Sequence, residues 1–173
     1  PDALTWVFEL RPGVRFHDGE PLTAQDVVWT FERLLGSPRL EMSGHISSFR
    51  SVRALDGKTV EIRTSVPVGI LLNKLRFILI VRRGEDTGSL DARVNGTGPY
   101  RLASWEKGRS MSLERNREYW GPKPTLSRVR FFLNRPPDAA LADLLSGRSQ
   151  FIQSSVRATA RAEIDGRLAS GPG

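Results

Sequence analysis

The adjacent His17 and Asp18 are the first residues of this sequence whose types suggest chemistry. An imidazole beside a carboxylate is part of the arrangement by which hydrolases activate a serine or cysteine nucleophile. The 173-residue chain contains no cysteine, and no serine motif accompanies the pair. Gly19 and Pro21 follow at once and are typical of a turn. We therefore expect His17 to be a hydrogen-bonded loop histidine and not a catalytic base.

The other candidates for catalysis or metal binding are weaker. Asp26 and Glu32 lie six positions apart on a predicted helix, off one another's face, and Asp26 is expected to cap that helix. The segment from Gly96 to Gly98 lacks the lysine and the helix start of a phosphate-binding loop. With no cysteine and only two histidines far apart in sequence, we predict no catalytic residue, no metal site and no cofactor.

Hydrophobic periodicity predicts the elements that must position these residues. Residues 4–11 alternate as a half-buried strand, and Thr23–Leu35 has helical spacing, an N-cap at Thr23 and a stop at Gly36. A loop is expected at 39–48 and a linker at 84–95. Further strands are predicted at 49–55, 58–64, 77–81, 100–105, 110–115, 128–133 and 150–153, and helices at 67–75, 136–146 and 154–168. This mixture predicts an α/β (mixed α+β) fold with mixed sheets, hairpins and packed helices.

The positive charge is confined to the second half of the chain. The net charge is +7; residues 1–92 hold 12 basic and 12 acidic side chains, and residues 93–173 hold 14 and 7. One interpretation is a basic interaction module that binds nucleic acid or an acidic protein through residues 93–173. The basic residues are scattered, however, and no nucleic-acid motif accompanies them, so we expect no nucleic-acid partner. No apolar run approaches the roughly 18 residues of a membrane helix.

Two blocks of sequence carry a specific resemblance. The first spans residues 5–28 and includes Arg11-Pro12-Gly13-Val14-Arg15-Phe16-His17-Asp18-Gly19 and Thr23-Ala24-Gln25-Asp26. The second runs Gly96-Thr97-Gly98-Pro99-Tyr100-Arg101-Leu102, then Ser104-Trp105, Gly108, Leu113, Arg115-Asn116, Tyr119-Trp120-Gly121 and Lys123-Pro124. In order and spacing, the two blocks resemble the bacterial oligopeptide, dipeptide and nickel extracellular solute-binding family 5. The resemblance covers most of residues 4–153.

This resemblance implies a fragment of a periplasmic-binding-protein-type fold, in which two lobes close over a solute. By analogy, residues 1–92 form a small subdomain beside the first lobe and residues 93–173 form part of that lobe. The second lobe is absent, so we read the chain as an excerpt and expect it to bind ligand weakly or not at all on its own. The exposed apolar surface that this leaves makes a homodimer of the fragment an alternative.

The implied function is solute capture for an ATP-binding-cassette (ABC) importer. The ligand is a peptide, a metal chelate or a related small solute, and the partners are permease subunits. The implied location is periplasmic or extracellular, with a lipid anchor as an option in the parent protein.

The resemblance also implies roles for individual residues. The candidate ligand-binding residues are His45, Arg76 and Arg82, because the segments that contain them lie toward the cleft in the family. The alternative is that these arginines are solvated surface. The motif residues expected to be structural are Gly96, Gly98, Pro99, Tyr100, Trp105, Arg115, Asn116, Tyr119 and Trp120. The glycines are expected to permit backbone geometry that a side chain would block, where the chain passes between lobes. The aromatic residues are expected in the core, with a ligand-stacking wall as the alternative.

Overall fold

The computed structural model describes residues 2–37, 41–85 and 95–153. The fold is a mixed α/β arrangement, as predicted, with two three-stranded sheets. Its strands are β1 (Thr5–Glu9), β2 (Phe49–Ala54), β3 (Thr59–Thr64), β4 (Tyr100–Glu106), β5 (Ser110–Arg115) and β6 (Arg128–Phe132). Its helices are α1 (Ala24–Leu35), α2 (Leu71–Leu75) and α3 (Pro137–Leu145), with a 3₁₀ helix at Glu41–Ile46. Among these described residues no helix is long and apolar enough to cross a membrane.

The first sheet has the order β1–β3–β2, and both of its pairings are antiparallel. Ile62 of β3 is opposite Trp6 of β1 and Val52 of β2, so the apolar positions of all three strands share one face. The predicted hairpin turn is confirmed, because the Oδ1 atom of Asp56 accepts hydrogen bonds from the N–H groups of residues 58 and 59 at 2.8 and 2.9 Å.

Helix α1 begins as its sequence predicts. The backbone N–H of Thr23 donates to Oδ2 of Asp26 at 2.8 Å, which is the carboxylate half of a capping box. The apolar side of α1 packs on the first sheet, and the ring of Phe31 stacks on that of Phe49 at a centroid distance of 5.5 Å. The buried core comprises Ala24, Val27, Val28, Phe31, Leu34, Ile46, Phe49, Val52, Val60, Ile62, Val68, Leu71 and Ile78.

The apolar run at 77–81 is not the predicted buried strand. Only Ile78 is buried, whereas Leu79 is 80% exposed. At the end of this segment, a side chain of α1 makes the backbone hydrogen bonds that a neighbouring strand would make. The buried hydroxyl of Thr30 accepts from the N–H of Val81 at 3.0 Å and lies 3.1 Å from the Val81 carbonyl oxygen. The backbone of 81 is therefore satisfied by a helix and not by a sheet.

Three smaller expectations also need correction. The predicted loop at 39–48 contains the 3₁₀ helix at Glu41–Ile46, whose last residue is buried in the core. Helix α2 begins at Leu71 and not at Pro67. Residues 150–153 carry no strand. The predicted helix at 154–168 and most of the predicted linker lie outside the described residues.

The second sheet has the order β4–β5–β6. A tight turn joins β4 to β5, and Gly108 within it has a φ of 70°, a left-handed conformation that favours glycine. Strand β6 runs antiparallel to β5. The N–H of Arg115, at the end of β5, donates to the carbonyl oxygen of Ser127 at 2.9 Å, and the N–H of Leu133, just after β6, donates to that of Arg109, just before β5, at 2.8 Å. Helix α3 opens at Pro137 and stops before Gly147, as predicted.

The chain divides into two compact units, one formed by residues 1–103 with 113–129 and the other by residues 104–112 with 130–173. In the second unit, the carboxylate of Asp143 is buried and accepts from Nε of Arg135 at 3.0 Å and from Nη1 of Arg148 at 2.9 Å. The predicted domain boundary after residue 92 falls outside the described residues and stays a prediction.

Candidate functional site

A tight turn presents His17 and Asp18. Phe16 is 2% exposed and anchors the turn, with its N–H bonded to the carbonyl oxygen of Glu20 at 2.8 Å. Gly19 closes the turn through a 2.9 Å bond from its N–H to the Phe16 carbonyl oxygen, at a φ of 92°. The local sequence therefore fixes where these two side chains point before any distant residue is involved.

His17 binds the backbone of a segment about eighty positions away. Its N–H donates to the carbonyl oxygen of Gly96 at 2.8 Å, and the N–H of Gly96 donates back to the ring Nδ1 at 3.3 Å. Its ring Nε2 lies 3.1 Å from the carbonyl oxygen of Gly98. The expectation of a hydrogen-bonded loop histidine is confirmed, and its partners are the glycines of the second sequence block.

Two more side chains hold the same segment. Nδ2 of Asn116 donates to the Gly98 carbonyl oxygen at 3.2 Å, and the indole Nε1 of Trp120 donates to the Thr97 carbonyl oxygen at 3.0 Å. The N–H of Asn116 also donates to the carbonyl oxygen of Pro99 at 2.8 Å. Each carbonyl group from residue 96 to residue 99 thus has a donor, and we call residues 96–99 the clamped segment.

Other motif residues support the loop that carries these donors. The Nη1 atom of Arg115 donates to the carbonyl oxygen of Pro124 at 3.0 Å, which confirms that this arginine holds the loop after it. The hydroxyl of Tyr100 donates to the Leu126 carbonyl oxygen at 3.1 Å. These bonds place the loop from residue 116 to residue 125 against the start of β4 and the end of β5.

Asp18 ties a third segment to the turn. Its Oδ2 accepts from Nη1 of Arg82 at 2.6 Å and from Nδ2 of Asn95 at 2.8 Å. Partial burial alone would raise the pKa of Asp18, but the hydrogen bonds from the N–H of Glu20 and from Asn95, together with the charge of Arg82, hold that pKa below its usual value. Asp18 is therefore a charged anchor for Arg82.

The remaining candidates form a small exposed cluster around Phe77. The ring of His45 lies 5.1 Å from the Phe77 ring between centroids, and the guanidinium carbon of Arg76 lies 5.1 Å from the same ring centroid. Phe77 is 48% exposed and Arg76 is exposed. We call His45, Arg76 and Phe77 the aromatic wall; Arg76 and Phe77 are exposed, and His45 is half-buried beside them.

A groove of about 820 Å³ lies beside the turn within the first unit. Charged residues dominate its lining, and two of them are already paired, since Nε of Arg101 lies 2.7 Å from Oε1 of Glu114. It lacks the apolar surface typical of small-molecule sites. We therefore do not assign it the solute.

The sequence matches the family described as "Bacterial extracellular solute-binding proteins, family 5 Middle" over residues 1–168. The chain belongs to solute-binding family 5. Both sequence blocks fall within the match, so the resemblance drawn from them is confirmed.

Two curated relatives illustrate this membership. Protein XP55 of Streptomyces lividans is 29% identical over 152 residues, which cover 84% of this chain and 28% of that protein. The "Probable D,D-dipeptide-binding periplasmic protein DdpA" of Escherichia coli is 32% identical over 138 residues, which cover 74% of this chain and 27% of that protein. The chain thus spans less than a third of the length of either relative.

Solved structures of the family share the fold. The ABC transporter substrate-binding protein CtaP of Listeria monocytogenes superposes with a TM-score of 0.80 at 27% identity, over 95% of this chain and 36% of that one. MoaA of A. tumefacien R10, solved in complex with mannopinic acid, gives 0.77 at 30% identity, over 84% and 31%. The periplasmic-binding-protein-type fold of this family 5 chain is therefore established.

The structure separates the residues that the family resemblance singled out. Gly96, Gly98, Pro99, Asn116 and Trp120 meet in one hydrogen-bonded network. His45 and Arg76 meet at the aromatic wall, whereas Arg82 turns to Asp18 and is not part of that cluster.

The aromatic residues of the second block are less buried than expected. Trp120 is 42% exposed, and its ring lies 5.0 Å from the guanidinium carbon of Arg11. Tyr119 and Trp105 are half-buried. The indole N–H of Trp105 is buried without an acceptor among the described residues.

The structure does not show the special backbone geometry expected for Gly96 and Gly98, because neither has a positive φ. A Cβ atom at Gly96 would lie 3.6 Å from Cε1 of His17, and one at Gly98 would lie 3.9 Å from the carbonyl oxygen of Tyr100, both ordinary contacts. Among the described glycines, Gly121 has the closest approach, because a Cβ atom there would lie 2.8 Å from the Tyr119 ring. Sequence reasoning did not assign a role to Gly121, nor to Asp18 and Asn95 as partners.

The family match and the relatives give no support to the alternative of a basic interaction module. Part of the positive charge of residues 93–173 is also paired internally. Beside the Arg101–Glu114 pair, Arg109 binds Glu106 at 2.8 Å.

In the part of the family 5 chain that the structure describes, no cluster of three histidine, aspartate or glutamate side chains has the geometry to hold a metal ion.

Proposed function

We propose that this chain forms one side of the solute cleft in the capture subunit of an ABC importer. The observation that carries the proposal is the aromatic wall, in which Phe77 stays 48% exposed although His45 and Arg76 both pack against it. Exposure of an aromatic ring to water is unfavourable in free energy. We therefore expect a ligand or a second lobe to cover the Phe77 ring. The names of family relatives support a peptide or a related small solute.

Each residue of the wall offers a distinct interaction. The guanidinium of Arg76 suits a bidentate pair with a ligand carboxylate, and the ring of Phe77 offers a flat apolar contact. His45 adds a polar edge beside them. Arg82 was predicted with these two; because its charge is committed to Asp18, we assign it to the support of the turn.

The whole receptor would need a second wall. A cleft ligand is normally buried from both sides, and closure is a population shift driven by contacts made only in the closed state. The relatives are about three times as long as this chain, which leaves room for that second lobe. We place the receptor in the periplasm or outside the cell, retained there by a lipid anchor or by its permease.

The first test is a titration of the 173-residue chain with a mixture of di- to pentapeptides at physiological salt. We expect weak binding or none, because a single wall buries too little of the ligand. Tight binding by this chain alone would contradict the requirement for a second lobe.

The second test uses the complete receptor that contains this chain. Replacing Arg76→Ala should lower the affinity for a peptide-like solute about tenfold or more, as expected for loss of a charge-assisted pair. Arg50→Ala is the matched control, since Arg50 is an exposed arginine of β2 outside the wall. Equal affinities of the two variants and the unmodified receptor would rule out the aromatic wall as the solute site.

A further inference from the structure

Both ring nitrogens of His17 are committed, and their partners fix the proton. Nδ1 faces the N–H of Gly96 at 3.3 Å and must accept. Nε2 faces the carbonyl oxygen of Gly98 at 3.1 Å and must donate. The ring therefore carries one proton, on Nε2, and is neutral when the clamped segment is in place.

A second proton is incompatible with this arrangement. It would sit on Nδ1 and point at the N–H of Gly96, which turns an attractive contact into a repulsive one. We propose that His17 is a proton-sensitive latch: protonation of its ring breaks the bond from the Gly96 N–H and loosens the start of the clamped segment, while the bond from the His17 N–H to the Gly96 carbonyl oxygen remains. This inference concerns local structure and does not rest on the proposed solute.

The release is local because other donors stay in place. Gly98 keeps its bond from Asn116, and Thr97 keeps its bond from Trp120. Those donors contain no group that titrates near neutral pH. The N–H of Gly96 should therefore lose its protection, while the carbonyl groups of residues 96–99 keep their donors.

The charged groups around the ring set the background for this switch. Asp18 is adjacent, but its carboxylate is already held by Arg82 and Asn95 and is not free to stabilise an imidazolium. The groove and the turn add more cations than anions; these groups are Arg15, Glu20, Arg101, Glu114, Arg115, Arg117, Glu118 and Arg128. Among the described residues, the ring nitrogens face only the backbone of Gly96 and Gly98, so no carboxylate is hydrogen-bonded to the ring to compensate for the lost bond.

The experiment follows the ring and the Gly96 amide of the unmodified chain by nitrogen-15 NMR. At about pH 8 we expect His17 to show the Nε2–H tautomer. When the pH is lowered until the ring nitrogen shifts show that His17 has taken up its proton, the exchange protection of the Gly96 N–H should drop about tenfold, while that of Asn116 stays constant. An Nδ1–H tautomer, or constant protection at Gly96 through the titration of His17, would overturn the latch.

Two variants separate the latch from general acid sensitivity. The chain has only two histidines, so His45→Gln leaves His17 as the sole imidazole, and the drop at Gly96 should persist. His17→Gln keeps a neutral side chain at every pH and should abolish the drop. A pH-dependent loss of protection at Gly96 that survives His17→Gln would refute the proposal.

Discussion

The indole Nε1 of Trp120 donates a 3.0 Å hydrogen bond to the carbonyl oxygen of Thr97, 23 positions earlier in the chain. Trp120 is 42% exposed, so its place is fixed by this bond and by the charge of Arg11 over its ring more than by burial. An aromatic residue expected in the core therefore acts mainly as a donor to backbone.

Replacing Trp120→Phe tests this role. The variant keeps an aromatic ring but leaves the Thr97 carbonyl without its donor, so the free energy of unfolding should fall by about 1 kcal/mol. The measurement is denaturant unfolding. The control is Trp6→Phe, since the buried indole N–H of Trp6 has no acceptor among the described residues. A Trp120→Phe variant as stable as the unmodified chain would count against a hydrogen-bonding role.

His17 and Asn116 share one acceptor, the carbonyl oxygen of Gly98. Each single alanine variant leaves that oxygen with one donor, whereas the double variant leaves it with none. The double variant should therefore lose more stability than the sum of the single variants, by about 0.5–1 kcal/mol. Unfolding of the four chains measures the difference. Asn116→Ala combined with Arg53→Ala, which has no shared partner, should be additive.

The ion pairs of Glu61 should make an acid-sensitive contribution to the free energy of unfolding. Its Oε1 accepts from Nε of Arg53 at 2.8 Å and of Arg63 at 3.0 Å. The Arg53 hydrogen bond and the charges of both arginines hold the pKa of Glu61 below its ordinary value of 4.5, against the opposing effect of burial. Because the folded-state pKa is lower than the unfolded one, this stability is present above about pH 4.5 and is lost as the pH falls through the folded-state pKa.

The corresponding variant is Glu61→Gln. It should unfold more easily than the unmodified chain at pH 7. The difference should begin to shrink below pH 4.5 and disappear once the pH has passed the lower folded-state pKa, where the folded carboxyl also becomes neutral. Thermal melts across this pH range measure it. Glu32→Gln makes the same charge change on the exposed side of α1 and should show no such convergence. A gap that is constant with pH would argue against the ion pairs.

The hydroxyl of Thr30 should stabilise the segment at 77–81. Its hydroxyl is buried and holds the N–H of Val81 at 3.0 Å. Thr30→Val has nearly the same shape but leaves this N–H without a partner, so the loss should be about 1–3 kcal/mol. Thr125→Val, at an exposed loop position, should change stability by less than about 0.5 kcal/mol. Hydrogen exchange at Val81 would locate the effect, and unchanged protection there would contradict it.

The sequence predicted those elements whose signals are local. The cap of α1, the hairpin turn at Asp56 and the stop of α3 before Gly147 each depend on residues within a few positions of one another. The strand predicted at 77–81 was wrong because an apolar run does not reveal its neighbour, and here the neighbour is the hydroxyl of Thr30. The length and hydrophobicity of the run at 77–81 do not predict a hydrogen bond to a side chain about fifty positions away.

By itself, the sequence determined the fold class and the family. The two blocks of motif residues identify the family by their order and spacing, which do not depend on whether each helix or strand was predicted correctly. It could also predict that His17 is a hydrogen-bonded loop residue. Only the tertiary structure decided that its partners are Gly96 and Gly98, and that Arg82 binds Asp18 and not the aromatic wall. The physical reason is that these bonds join positions 64 to 81 apart, where no local conformational preference specifies which groups meet.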